Sequence, residues 1–189
     1  LQAVRPAYPA GRLLVALIER DRARNLELHG QPEAALAALG RAQSAFEAVL
    51  EQTPDSVVAL SGAALNAVFQ FYEYRSRDPQ RAVRWMERAI GLQDRALAQD
   101  PDNVDLLFDQ GANHGDLWYF LLLTSGDELD TGRSADEVLA RAMALLGRIR
   151  ELAPQRPSGY SQPLMILLSG TDHQIDQGQD ASALLERAM

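Results

Sequence analysis

Three histidines, His29, His114 and His173, offer the chain's most versatile side chains for acid–base or metal chemistry. His114 lies in the stretch QGANHGD, between Asp109 and Asp116. A histidine with nearby carboxylates can hold a divalent metal when the ligands recur at helical spacing. No His-x3-His or Glu-x2-His pairing accompanies His114, so its expected role is helix packing or groove lining. The stretch TDHQIDQGQD, Thr171 to Asp180, carries three Asp and a His. A calcium loop needs oxygen ligands at alternate positions ahead of its glycine, yet His173 and Ile175 occupy two of those positions ahead of Gly178. The stretch reads as a solvated loop between helices. The acidic run SGDELDTGRSADE lacks ligand spacing too and reads as a turn followed by a helix cap.

Covalent chemistry finds no better footing. Cysteine is absent, which removes a thiolate nucleophile, thiolate metal sites and disulfides. No serine stands in a Gly-x-Ser-x-Gly elbow, and neither a phosphate loop nor a dinucleotide fingerprint occurs. All 18 basic residues are Arg, so Schiff-base lysine chemistry is excluded. That arginine bias fits the coding habits of a GC-rich bacterial genome. The expectation is a protein that is not an enzyme, with no catalytic, metal-binding or cofactor-binding residues.

Bulk properties narrow the partners. A net charge of −8 disfavours nucleic acid, which needs clustered basic side chains to release counterions. No apolar run approaches the roughly 20 residues that span a bilayer, and the start lacks the pattern of a signal peptide. The first residue is Leu1, which reads as a piece cut from a longer, cytoplasmic protein. At 47% hydrophobic and 23% charged the chain has an ordinary globular composition, and its wealth of Ala and Leu favours helix.

The elements that must position any site show themselves as a repeat. Pro54, Pro101 and Pro154 each close a helical stretch: VLEQTP, RALAQDP and IRELAP. Counted back from each proline, Ala35, Ala82 and Ala135 share one position. Closer in, Arg41-Ala42, Arg88-Ala89 and Arg141-Ala142 share the next two, and Leu39, Met86 and Leu139 share a slot just ahead of those pairs. A fourth copy, Ala181, Leu185, Arg187 and Ala188, follows near the C-terminus, so the copies recur at spacings of 47, 53 and 46. The longer middle spacing is assigned to extra loop around 124–133. In the first copy Leu39, Ala42, Ala45, Phe46 and Val49 form an apolar stripe on one helix face, and the alanines permit close backbone approach.

After each proline come helix-start residues, Asp55-Ser56, Asp102-Asn103 and Ser158, leading helices over about 56–75, 103–124 and 158–169. Pro32 and Pro79 suit a first helical turn, Asp78 suits an N-cap, and Ser134 with Glu137 suits a capping box. The stretch 11–28 reads as the first helix of the first pair, and residues before Pro6 as the tail of an earlier one.

Ala42-x3-Phe46-x2-Val49-x4-Pro54 resembles the second helix of the tetratricopeptide repeat, and Ala142, Leu146, Ile149 and Pro154 repeat the pattern. Gln93 replaces the large apolar residue in the middle copy. Ala64 and Gly111 match the family's small first-helix residue, whereas Leu164 departs from it. The period is longer than the family's, because each helix carries about one to two extra turns. Such long-helix arrays resemble regions attached to bacterial serine/threonine kinases and other signalling proteins.

The resemblance implies an all-α, right-handed α-solenoid of antiparallel helix pairs, about eight helices in one array. Its repeats would run approximately 7–54, 55–101, 102–154 and a truncated 155–189. It also implies a concave groove lined by first-helix residues: Ser61, Leu65, Phe69 and Tyr72, then Phe108, Asp109, Ala112, Asp116 and Tyr119. Tyr72 and Tyr119 share one position after their prolines, and Phe71 and Trp118 precede them. These rings either line a groove or fill the core between over-long helices. The groove positions are neutral or acidic, unlike the basic carboxylate clamp of the family. The expected function is a scaffold that binds a protein or peptide partner. The alternative is a regulatory, oligomerising or ligand-sensing segment that controls an attached catalytic domain and self-associates.

Overall fold

Prolines and caps divide the chain as the repeat requires. The computed structural model describes residues 9–124, 129 and 133–188, and among these every regular element is an α-helix. In order they are α1 (Pro9–Leu28), α2 (Pro32–Leu50), α3 (Val57–Tyr74), α4 (Pro79–Gln99), α5 (Val104–Leu123), α6 (Ala135–Leu152), α7 (Ser158–Asp176) and α8 (Ser182–Ala188). Residues 125–128 and 130–132 of the loop insertion expected around 124–133, the tail before Pro6, and the side chains of Arg187 and Ala188 lie outside the described residues.

Local chemistry explains the boundaries. Ser56 accepts a hydrogen bond from the Ala59 amide at 3.4 Å, and Asp78 accepts one from the Arg81 amide at 2.9 Å. Asn103 accepts from the amides of Asp105 and Leu106. Ser134 and Glu137 complete the capping box in both directions, at 3.2 and 2.9 Å. Each such contact satisfies an amide that the first helical turn leaves without a partner. Pro32 and Pro79 stand in the first turns of α2 and α4, where a missing N–H costs nothing.

Two ends use glycine. Gly30 and Gly178 both adopt φ of 69°, closing α1 and α7. In each the glycine amide donates three residues back and the next amide donates five back: Gly30 to Glu27 with Gln31 to Leu26, and Gly178 to Ile175 with Gln179 to Gln174. This is the Schellman closure, which needs a residue at ease in the left-handed region. It also corrects the reading of Thr171–Asp180 as a solvated loop. Helix α7 runs to Asp176 and Thr171 is buried, because the helix stop is Gly178 and not the polar run before it. Ser158 opens α7 but does not cap it; Pro157 holds the N-cap position and the Ser158 hydroxyl instead accepts from Arg156 Nε at 3.1 Å.

The chain forms two compact units, residues 1–100 and 101–189. In the first, α1 packs on α2, α2 on α3, and α3 on α4; in the second, α5 packs on α6, α7 lies against both, and α8 against α7. Neighbouring helices thus pack pairwise and antiparallel, consistent with a helical repeat.

In α2, α4 and α6 the apolar register of the sequence is the register of the core, whereas in the fourth copy Leu185 of α8, in the slot of Leu39, Met86 and Leu139, is exposed. Counted from their prolines, Leu39, Ala42, Phe46 and Val49 of α2 match Leu139, Ala142, Leu146 and Ile149 of α6; all are buried. In α4 Met86, Ala89 and Ala96 are buried, and Gln93 is buried although polar. Close approach is real at two of these positions. A Cβ on Gly62 of α3 would lie 2.5 Å from the Phe46 ring, and one on Gly111 of α5 would lie 2.8 Å from Leu146. Phe46 and Leu146 hold the same slot in their copies. Leu164, which departed from the small-residue pattern, is exposed on α7.

Candidate interaction surface

Residues at positions i, i+4, i+8 and i+11 fall on one side of a helix. Ser61, Leu65, Phe69 and Tyr72 therefore share a face of α3, opposite the side that buries Leu60, Ala63, Ala64, Ala67 and Phe71. Leu65 is 41% exposed and Tyr72 37%. Phe69 is half-buried, because its ring packs against the cluster Ala23, Ala35, Ala38 and Leu39 of α1 and α2. Ser61 is half-buried, with its Oγ enclosed.

In the second unit Phe108, Asp109, Ala112, Asp116 and Tyr119 share a face of α5. Asp109 is solvent-accessible and the other four are half-buried. The buried side of α5 carries Leu107, Gln110, His114, Leu117 and Trp118. His114 thus takes an interior position, and among the described residues no three potential metal ligands come together.

The aromatic pairs split between the two environments. Phe71 and Trp118 are core: Trp118 packs so tightly over Gly170 of α7 that no Cβ could be accommodated there. One residue on and about 100° round the helix, Tyr72 is exposed and Tyr119 half-buried. The Tyr72 ring meets Phe71 edge-on at 5.2 Å and carries the Arg75 guanidinium 5.4 Å from its centroid. The Tyr119 ring meets the edge of His173 at 6.4 Å.

Between α5 and α7 opens a cavity of about 250 Å³, lined by Gly115, Asp116 and Tyr119 on one side and by Gln162, Met165 and Ser169 on the other. Gly115 makes this approach possible, since a Cβ there would collide with Ile166. Acidity concentrates on the α5 face. The Asp109 carboxyl is raised above the usual aspartate range by the packing around it and by Asp105, against the opposing pull of Arg156. On α3, burial and the neighbouring Glu27 raise the Glu73 carboxyl.

Sequence reasoning missed two features. One is the α7 wall of this cavity, because counting from Pro154 puts Leu164 where the small residue should be and gives α7 no usable phase. The other is a polar chain in the first unit that starts at buried Asn66 and Gln43 and runs out to exposed Glu47 and Arg88. Asn66 Nδ2 donates to Leu39 O and to Gln43 Oε1, each at 3.2 Å; Gln43 Nε2 donates to Glu47 Oε1 at 3.0 Å; and Glu47 pairs with Arg88. A signal existed: Asn66 stands to Pro54 as Asn113 stands to Pro101, and both asparagines are buried.

Arg41 reaches Glu19 on α1 at 2.8 Å and Arg88 reaches Glu47 on α2, each across helices. Arg141 is exposed and makes no ion pair among the described residues. Among those residues no helix is long and apolar enough to cross a membrane. No known family model matches the chain, and no curated protein matches it either.

Proposed function

We propose that the chain is a tetratricopeptide-like interaction module, a right-handed solenoid segment that binds a protein or peptide partner through the first-helix faces bearing Tyr72 and Tyr119. The carrying observation is that two tyrosines at one register position are left less buried than their aromatic neighbours, Tyr72 exposed and Tyr119 half-buried while Phe71 and Trp118 are core. A ring left at a surface offers large contact area at low entropic cost, and interfaces concentrate their energy in such residues. The reading includes a bacterial, cytoplasmic setting within a multidomain signalling protein, where the module would act as a scaffold without catalysis or cofactor.

Selection of peptides from a displayed random library against the chain tests this reading. Selected peptides should bind about tenfold more weakly to the Tyr72→Ala, Tyr119→Ala double variant, whose helical circular dichroism should match the parent. Equal affinity for parent and variant would remove these faces as the binding surface.

A second reading, self-association that regulates an attached domain, is favoured by a different surface. Leu14, Val15 and Ile18 lie exposed on α1, and Val15 also lines a cleft of about 850 Å³ that α1 and α2 form with Arg12, Ala37, Gly40 and Ser44. Light scattering that returns a monomer over a wide concentration range would dismiss it.

A further inference from the structure

We propose that the first half of α4 carries a phosphate-binding recess, lined by Arg81, Arg84, Trp85 and Arg88, that receives a phosphorylated side chain of a protein partner. None of the tyrosine-face residues lines it, so its function is independent of theirs. The recess encloses about 290 Å³, at the lower end of small-molecule sites, which usually run to about 300–1,000 Å³. That size suits one anionic head group.

Helical spacing gathers the cluster, and aromatic rings hold it. Residues 81, 84, 85 and 88 are three and four apart and so share one side of α4. The Arg81 guanidinium lies 4.0 Å from the centroid of the Tyr74 ring, and that of Arg88 lies 5.6 Å from the Trp85 centroid. Stacking occupies the face of a guanidinium and leaves its N–H edge available. Arg88 gives part of that edge to Glu47. Arg84 stands between the two stacked arginines, exposed, and makes no ion pair among the described residues. Among those residues no carboxylate lines the recess.

The repeat does not call for arginine here. Counted back from the closing prolines, the slot of Arg84 holds Ala37 in α2 and Glu137 in α6, and that of Arg81 holds Ala34 and Ser134. The Trp85 slot holds Ala38 and Val138, both buried, whereas Trp85 is only half-buried. Two sister helices thus pack without these side chains. Arg81 with Arg84, and Arg84 with Arg88, are like-charge pairs at helical spacing, which destabilise a helix slightly. An anion between them turns that repulsion into attraction.

A phosphate monoester meets this arrangement best. It carries about −1.5 to −2 charge at neutral pH and three acceptor oxygens, which neighbouring guanidinium forks bond together. Clustered arginines are a recurring means of recognising phosphorylated motifs. A carboxylate has less charge and fewer oxygens. Tracking the diester backbone of a nucleic acid takes an extended basic stripe, which a net charge of −8 disfavours.

The test is an NMR titration of the 15N-labelled chain with N-acetyl-O-phosphoserine methylamide, run beside the glutamate analogue and the diester dimethyl phosphate. The Trp85 indole N–H is the reporter, and buried Trp118 supplies an internal reference. The phosphoserine probe should shift the Trp85 signal saturably and leave Trp118 still, binding about fivefold tighter than either competitor. Lowering the pH from about 7.5 to about 5 protonates the phosphate, whose second pKa is about 6, and should weaken binding about threefold. Arg84→Gln should weaken it about fivefold, and Arg84→Lys, which keeps the charge and loses the fork, about twofold. Arg141→Gln, at an exposed arginine of α6, should leave binding unchanged. The proposal falls if Trp85 shows no saturable shift up to about 50 mM probe. It falls equally if the glutamate analogue or the diester binds as tightly, or if Arg84→Gln with parental helical circular dichroism binds like the parent. Equal weakening by Arg141→Gln and Arg84→Gln would also overturn it, since general charge would then suffice. Failure here leaves the tyrosine faces to their own test.

Discussion

Arg95 and Arg148 hold the same place in successive copies, ahead of Pro101 and Pro154, and each grips the turn that precedes its own hairpin. Arg95 Nη2 donates to Pro54 O at 2.7 Å, and Arg148 Nη2 donates to Asp102 Oδ1 at 2.7 Å. Both contacts tie the second helix of a pair to the residues that start the first.

Replacing these arginines should separate a hydrogen-bond effect from an ionic one. Arg95→Ala should lower stability by about 1 kcal/mol, since a charge-assisted bond to a carbonyl is lost. The Arg148 pair is exposed, so Arg148→Ala should have a smaller effect that disappears in about 1 M salt. Urea denaturation at low and high salt distinguishes the two.

Glycine substitutions should have opposite signs at two helical positions. Gly91 of α4 has open space where a Cβ would go, so Gly91→Ala should stabilise by about 0.5–1 kcal/mol through helix propensity. At Gly111 the added methyl meets buried Leu146, and Gly111→Ala should destabilise by about 1–3 kcal/mol once strain exceeds the propensity gain. Thermal midpoints of the pair give the answer directly.

The capping box of α6 makes a pH-dependent contribution. Hydrogen bonds from the Ser134 amide and hydroxyl hold the Glu137 carboxyl below its ordinary 4.5. The folded state therefore prefers the ionised form. Its contribution is present above about 4.5 and is lost as pH falls through the lower folded value. Ser134→Ala should cost about 1 kcal/mol at neutral pH, and the difference from the parent should shrink in acid.

Asp109 has the opposite sign. Its folded value lies above the ordinary 3.8, so the unfolded chain releases the proton first and stability declines as pH rises through that window. Asp109→Asn should raise the thermal midpoint at pH 7 relative to the parent, with the gap closing as pH falls below the aspartate range. A constant gap at all pH values would mean that packing, not charge, governs this position.

Much of the architecture could be read before any coordinates. Pro32, Pro79, Asp78 and the Ser134–Glu137 box act on neighbours within a turn, so their identity alone places a helix start. The failures have equally local causes. Polar residues after Thr171 suggested a loop, but side chains on an exposed helical side are also polar, and only the left-handed Gly178 decides where α7 stops. Leu164 broke the phase of α7, which hid Gln162, Met165 and Ser169 from view. The Arg41–Glu19 and Arg156–Asp105 pairs join residues 22 and 51 positions apart. No local rule pairs side chains over such separations.

By itself the sequence determined that this protein is helical, where most helices begin and end, and which stripe of α2, α4 and α6 is buried. Those properties follow from backbone capping and from the helical period, both short-range. Tertiary structure alone decided that Phe71 and Trp118 go inward while Tyr72 stays exposed and Tyr119 half-buried, and that Asn66 starts a polar chain in the first unit. It also decided that α5 and α7 part around Asp116. The physical reason is that adjacent residues on a helix point about 100° apart, and only the neighbouring helix determines which direction is interior.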